Sequence, residues 1–188
     1  MSPVYIALIH YPVYDKNKKV VTTSISSINI HDISRVAKTY GIKAFYIVTP
    51  LIKQQELIQR IIEHWISGYG AKYNETRKEA FDVIRVESDI EEAVRDIKKN
   101  NEEKKIIRVV TSACNDAKLI TYKNLTSIIK EASQAVLIIF GTGWGVDDSI
   151  KEGADFCLEP IVGVGDYNHL SVRSAVAITL DRLIMDIM

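Results

Sequence analysis

Four short runs of the chain are almost wholly apolar: Val4–Ile9, Ala44–Val48, Ile106–Val110 and Ala135–Phe140. A strand that is apolar at consecutive positions must be covered on both faces. That is the condition of a parallel sheet held between layers of helices. Two weaker runs, Asp82–Val86 and Asp155–Leu158, bring the expected set to about six strands. The first of these is more polar and is expected nearer an edge.

Segments of helical period lie between the runs. Residues 29–40 end at Gly41, a residue suited to a left-handed stop. Residues 51–67 place Leu57, Ile58, Ile61, Ile62 and Trp65 on one face. Residues 89–99 follow Ser88, an expected N-cap, and close on lysines that complement the helix dipole. Residues 122–133 and the stretch from Leu170 to the end complete the set, and residues 71–80 read as a loop with a short helix. Strand–helix alternation of this kind predicts an α/β fold: a mostly parallel central sheet flanked by helices. At 188 residues the chain is expected to form one domain.

Charge excludes one route to function. Lys plus Arg and Asp plus Glu each number 24, so the net charge is zero and no broad positive field draws in nucleic acid. Any contact with RNA must be local. Cys114 and Cys157 are the only cysteines and histidine is scarce, so no metal site is expected. The first apolar run is too short for a signal or membrane segment, and a soluble, cytoplasmic protein is expected.

Ligands of open parallel sheets bind beyond the carboxyl ends of the strands. Three consecutive strand ends here carry small residues: Thr111-Ser112-Ala113, Gly141-Thr142-Gly143-Trp144-Gly145, and the stretch from Glu159 to His169. The last two hold five of the nine glycines. Such loops suit adenine, ribose or phosphate, because glycine lets backbone groups approach a ligand. Neither GxxxxGK[ST] nor GxGxxG is present, and a tight turn after a buried strand is the competing reading. Asn29, His31, Asp32 and Arg35 open the first long helix. Residues three and four apart share a face there, although a helix start capped by Asn29 or Asp32 reads equally well. Lys16, Lys18 and Lys19 sit in a polar turn, while His10 and Tyr11 either line a cleft or terminate the first strand.

Four stretches together carry a resemblance: IHYPVYDKNKKVVTTSISSINIHDISRVAKTYGIKAFYIVTP, RVVTSA, LIIFGTGWGV and CLEPIVGVGDYNHLSVRSAVAITLDRL. With these, essentially the whole chain resembles the SPOUT class of knotted, S-adenosylmethionine-dependent RNA methyltransferases. Within that class it is similar to a small family that can occur fused to tRNA guanine-N1 methyltransferase. The first motif of the class matches Asn29, Arg35 and Tyr40-Gly41. The second matches Gly141-Thr142-Gly143, with Gly143 standing where the ribose 2′-O members usually carry Glu. The third resembles Tyr167-Asn168-His169-Leu170-Ser171, with His169 in the place of the usual Asn. Gly165-Asp166-Tyr167 instead echoes the guanine-N1 branch. A base or a ribose target therefore both stand.

The resemblance implies S-adenosyl-L-methionine as cofactor, tRNA or rRNA as substrate, a C-terminal deep trefoil knot and a homodimer. It implies a cofactor slot walled by Phe140, Leu158, Ile161 and Leu170, all four of which are also plausible core. Backbone for that slot would come from Thr111, Ser112, Gly141, Thr142, Gly143 and Gly163, with Asn168 and Ser171 opening the last helix. Arg35 would contact RNA or help activate the nucleophile. His31, Asp32, His169 and Asp166 are unranked candidates for a general base, and His169 alternatively caps the final helix. Lys16, Lys18, Lys19 and Lys38, with Arg35, would form one RNA-facing patch. The rival reading is a non-catalytic nucleotide- or cofactor-binding knotted α/β dimer.

Overall fold

The chain is described by a computed structural model that covers all residues except 102–104, 112–117, 166, 168, 186 and 188. Ser112, Cys114, Asp166 and Asn168 lie outside the described residues.

In chain order, β1 (Val4–Ile9) leads into a hairpin of β2 (Val13–Tyr14) and β3 (Val20–Val21), then α1 (Ser27–Thr39). Next come β4 (Phe45–Val48), α2 (Ile52–Ile66), α3 (Tyr69–Tyr73), α4 (Glu75–Phe81) and β5 (Ile84–Glu87). They are followed by α5 (Ile90–Lys99), β6 (Ile106–Thr111), β7 (Leu119–Ile120) and α6 (Tyr122–Glu131). The described elements end with β8 (Ala135–Gly141), α7 (Asp148–Glu152), β9 (Phe156–Leu158) and α8 (Val172–Ile184).

Among the described residues, seven strands form one sheet in the order β5-β4-β1-β8-β6-β9-β7. Every pairing in it is parallel. The six expected strands are all present, and the polar one, β5, is at an edge. The seventh, β7, and the antiparallel hairpin have strands of only two residues, too short to show a period.

The sheet is buried on both faces, as the apolar runs require. On one face Ile6, Leu8, Ile47, Val109 and Ile138 pack against α1, α2, α4, α6 and α8. On the other, Ala7, Ile9, Tyr46, Val110 and Ile139 pack against α5 and α7. In α1 the spacing of Ile30, Ile33 and Ala37 turns one stripe to the sheet, and Gly41 ends the segment at φ 68°. Three caps differ from expectation. Asp89, not Ser88, caps α5 by accepting the Glu92 N–H, because a carboxylate next to the first turn also answers the dipole. Ser26 stands at the start of α1, ahead of Asn29 and Asp32. Ser171, not His169, caps α8 by accepting the Ser174 N–H.

Candidate functional site

The carboxyl ends of β8, β6 and β9 are adjacent and level. Thr111 is in register with Phe140 on one side and Leu158 on the other. β1 borders β8, with Ile9 opposite Gly141. The loops expected to hold a ligand therefore emerge side by side from the same edge of the sheet.

The Gly141–Gly145 turn is fixed by the neighbouring hairpin. The Trp144 N–H donates to the Tyr14 carbonyl at 2.9 Å, and the Tyr14 N–H donates to the Gly145 carbonyl at 2.9 Å. Gly143 has φ 59° and Gly145 φ 100°, conformations that favour glycine. A Cβ on Gly143 would stand 2.9 Å from the Tyr14 carbonyl oxygen. These bonds hold the Trp144 ring out at the rim, 67% exposed. The stretch after β9 exposes Val162, Val164, Tyr167 and Leu170, with Ile161 half-buried. Glu159 anchors the start of that stretch, its carboxylate accepting the Tyr122 N–H at 2.6 Å.

Two expected wall residues are corrected. Phe140 and Leu158 are 2% and 1% exposed and belong to the core on the α1–α8 face. Strand side chains alternate between faces, and these two point into the helix layer. They offer the site their backbone only. Ile161 and Leu170 remain at the rim. The hydroxyls of Thr111 and Thr142 also turn inward, to the carbonyls of Ile139 at 3.0 Å and Ile9 at 2.9 Å. Gly163 lies in the exposed part of the β9 loop. Phe140→Ala should therefore cost about 3–5 kcal/mol of folding stability. Trp144→Ala should stay within about 0.5 kcal/mol. Urea denaturation of the two variants checks this, and equal losses would contradict the assignment.

Helix α1 divides its polar residues among different neighbours. Asp32 faces α8, its carboxylate 3.5 Å from Arg173 Nε. His31 faces α2 and α4, its ring 5.4 Å from Trp65 and 4.9 Å from Phe81. Arg77 Nη1 lies 2.8 Å from His31 Nδ1. A guanidinium only donates, so Nδ1 is the acceptor and its lone pair is occupied. Burial, then the Arg77 charge, lower the His31 pKa. His31 thus packs against α2 and α4, with Nδ1 engaged by Arg77. Arg77 also lies over the Trp65 ring at 5.1 Å. Arg35, one turn after His31, is exposed, and no carboxylate is paired with it among the described residues. His169 is exposed, and its ring lies 5.4 Å from the Tyr167 ring in an edge-on arrangement.

The expected lysine patch is split. Lys16, Lys18 and Lys19 are exposed on the hairpin turn, which abuts the Gly141–Gly145 turn through Tyr14. Lys38 sits at the far end of α1, from which the chain returns to the start of β1 through the Lys43 N–H bond to the Val4 carbonyl. A helix of 13 residues separates its ends by roughly 20 Å, which sets Lys38, one turn after Arg35, apart from the hairpin lysines.

Arg77, Arg173 and Trp144 were not singled out by sequence reasoning. Arg77 meets α1 only through tertiary packing across 46 positions, and no local pattern marks that. His10, left open between lining a cleft and ending a strand, is 1% exposed, with Nδ1 2.9 Å from Thr23 Oγ1. Burial lowers its pKa from 6.5 to about 4, partly offset by a hydrogen bond to the Thr23 backbone. Between these values the unfolded chain binds the proton and the folded one does not. Stability is therefore full above about pH 6.5 and falls as pH drops towards 4, by about 3 kcal/mol at most. Urea denaturation at pH 4.5 and 7 should show a smaller difference for His10→Gln than for the parent. Identical pH dependence would contradict it.

The donor set fits S-adenosylmethionine. Exposed apolar side chains suit a purine, and glycine-bearing loops bring backbone groups close. Neither the 141–147 loop nor the 158–171 loop contains Lys or Arg, whereas they contain Asp147, Glu159 and Asp166. A sulfonium would meet no like charge there. Among the described residues no group of three or more His, Cys, Asp or Glu is placed to hold a metal. No helix among them is long and apolar enough to cross a membrane. A shallow groove of about 510 Å³ runs along α2 against Val86, at the other edge of the sheet. Its lining of Gln, Glu and Arg side chains has none of these features.

Comparison with known proteins finds relatives over nearly the whole chain. The profile of a family described as SAM-dependent RNA methyltransferase matches residues 3–185. An uncharacterised protein of Aquifex aeolicus is 42% identical over 180 residues, covering 96% of this chain and 87% of that one. A tRNA (guanine-N(1)-)-methyltransferase of Nitratidesulfovibrio vulgaris is 38% identical over 183 residues. The match takes in 97% of this chain but only 42% of that protein, so the chain spans less than half of that relative. Among solved structures, the SpoU methyltransferase AviRb of Streptomyces viridochromogenes, in complex with AdoMet, superposes with a TM-score of 0.62 at 13% identity. That likeness covers 98% of this chain and 57% of AviRb. TrmJ of Z. mobilis superposes with a TM-score of 0.63 at 15% identity, over 97% of this chain and 68% of TrmJ. At these identities the structural likeness speaks for the fold.

Proposed function

Because the chain belongs to the family of S-adenosylmethionine-dependent RNA methyltransferases, we propose that its own substrate is a tRNA or rRNA, methylated beside the loops that follow β8, β6 and β9. The observation that carries this reading is the level adjacency of those three strand ends, with glycine turns and exposed apolar side chains above them.

The cofactor, when bound, supplies an electrophilic methyl carbon for in-line displacement. The chain's own residues do the rest. Trp144, Ile161 and Leu170 offer apolar surface at the rim, and the fixed Gly141–Gly145 turn offers backbone. We assign Arg35 to hold an RNA phosphate or the developing charge, since a guanidinium is a fixed fork of donors with no acceptor. Asp32, held near Arg173, and His169, exposed beside the site, are candidates for accepting a proton. The hairpin lysines Lys16, Lys18 and Lys19 extend the RNA surface on the side of the glycine turn.

We read the last third of the chain as the deep trefoil knot. In support, β8 inserts between β1 and β6, both earlier in the chain, and α8 returns to pack in the layer of α1 and α6. A homodimer is supported by apolar side chains left exposed at Ile28, Val162, Val164 and Tyr167. Light scattering of the purified chain should give twice the monomer mass, and a monomer would count against the dimer. Titration with S-adenosyl-L-homocysteine tests the cofactor site. Micromolar binding is expected, and binding of ATP or NAD with no response to that product would overturn the reading.

A further inference from the structure

We propose that His10, Thr23 and Thr142 form a part-buried positioning network that sets the Gly141–Gly145 turn and ties it to the segment leading into α1. Its bearing on the cofactor rests on reading that turn as part of the cofactor site. His10 follows the last residue of β1, Thr23 lies between β3 and α1, and Thr142 stands between two glycines of the turn. His10 Nδ1 is 2.9 Å from Thr23 Oγ1, and Thr23 Oγ1 is 2.5 Å from Thr142 Oγ1. Thr142 Oγ1 donates to the Ile9 carbonyl at 2.9 Å, and the Thr23 N–H donates to the His10 carbonyl at 2.9 Å.

One arrangement of protons satisfies the whole chain of bonds. Thr142 gives its proton to Ile9, so its lone pair takes the Thr23 proton, and Thr23 in turn accepts from His10 Nδ1–H. That requires the neutral imidazole with its proton on Nδ1, a tautomer assigned from the network. Buried polar chains are costly when one link is missing, and here each link lies on a different segment. Thr23 also touches the neighbouring residue of the turn: its methyl carbon would stand 3.3 Å from a Cβ on Gly143. The same side chain therefore bonds Thr142 and packs beneath Gly143. It connects the turn to the segment that starts α1, the helix that carries Arg35.

The experiment compares Thr23→Val, which keeps the shape and removes the hydroxyl, with Thr23→Ser, which keeps the hydroxyl. Amide hydrogen exchange of residues 141–146 is read in the full chain without ligand, beside the Kd for S-adenosyl-L-homocysteine. Thr23→Val should raise exchange in that segment about tenfold or more and weaken binding about tenfold. Thr23→Ser should stay within about threefold of the parent in both. Thr142→Val should behave as Thr23→Val does, and the double variant should be no worse than either, because one network is broken only once. Parent-like exchange in Thr23→Val, equal damage from Val and Ser, or additive losses in the double variant would each overturn the proposal. Should the parent bind no S-adenosyl-L-homocysteine, the cofactor reading fails, while the exchange data still decide whether the network sets the turn. Thr142→Val and Thr142→Ser carry the same comparison if Thr23→Val does not fold.

Discussion

Arg35→Ala should lower methyl transfer to RNA by about a hundredfold or more, the loss typical when one transition-state donor is removed. Its affinity for S-adenosyl-L-homocysteine should stay within about threefold of the parent. The split follows from geometry. Arg35 is exposed on α1, while the glycine turn is held by Tyr14 and the Ile9 carbonyl. Removing the guanidinium leaves the turn intact and deletes a cation that no carboxylate neutralises among the described residues. Lys98→Ala is the control, a loss of an exposed positive charge in the last turn of α5, on the other face of the sheet from α1. It should change transfer by less than about twofold, since exposed charges a Debye length or more away are largely screened. Labelled-methyl incorporation into unmodified RNA measures both. Equal incorporation by Arg35→Ala and the parent would remove Arg35 from the reaction.

Gly143→Ala should weaken cofactor-product binding about tenfold or more, and it should also lower the melting temperature. The backbone at φ 59° is left-handed, which costs a side chain roughly 1–2 kcal/mol. The new Cβ would lie 2.9 Å from the Tyr14 carbonyl oxygen. Backbone cannot swing aside as a flexible side chain does, so the turn must shift away from the hairpin. That breaks the Trp144 N–H bond to Tyr14 and moves the rim. Gly165→Ala is the control, because a Cβ there meets nothing within 4 Å. It should bind within about threefold of the parent, a difference of less than 1 kcal/mol. Calorimetric titration of the two variants checks the contrast, and parent-like binding by Gly143→Ala would show that the turn does not shape the site.

The layered sheet was legible because its central strands are apolar at consecutive positions, and only burial on both faces explains that. β7 and the hairpin were not, since two residues carry no period. The place of the site was legible too, because glycine gathers at strand ends that the topology then sets side by side. Individual side chains were harder to read. Phe140 and Leu158 sit at strand ends, yet the pleat directs them into the helix layer, and loop position alone does not reveal the facing direction. His31 and Asp32 share a turn but meet different helices. Neither the Arg77 contact to His31 nor the Arg173 contact to Asp32 has a local signature. The lysines show the same limit, with Lys38 carried away from the hairpin by the length of α1.

Methyl transfer to RNA is checked by nucleoside mass spectrometry. RNA from cells with and without this chain would be digested and compared. One methylated nucleoside should be lost without the protein and return with the parent chain but not with Arg35→Ala. Identical nucleoside profiles with and without the protein would contradict it.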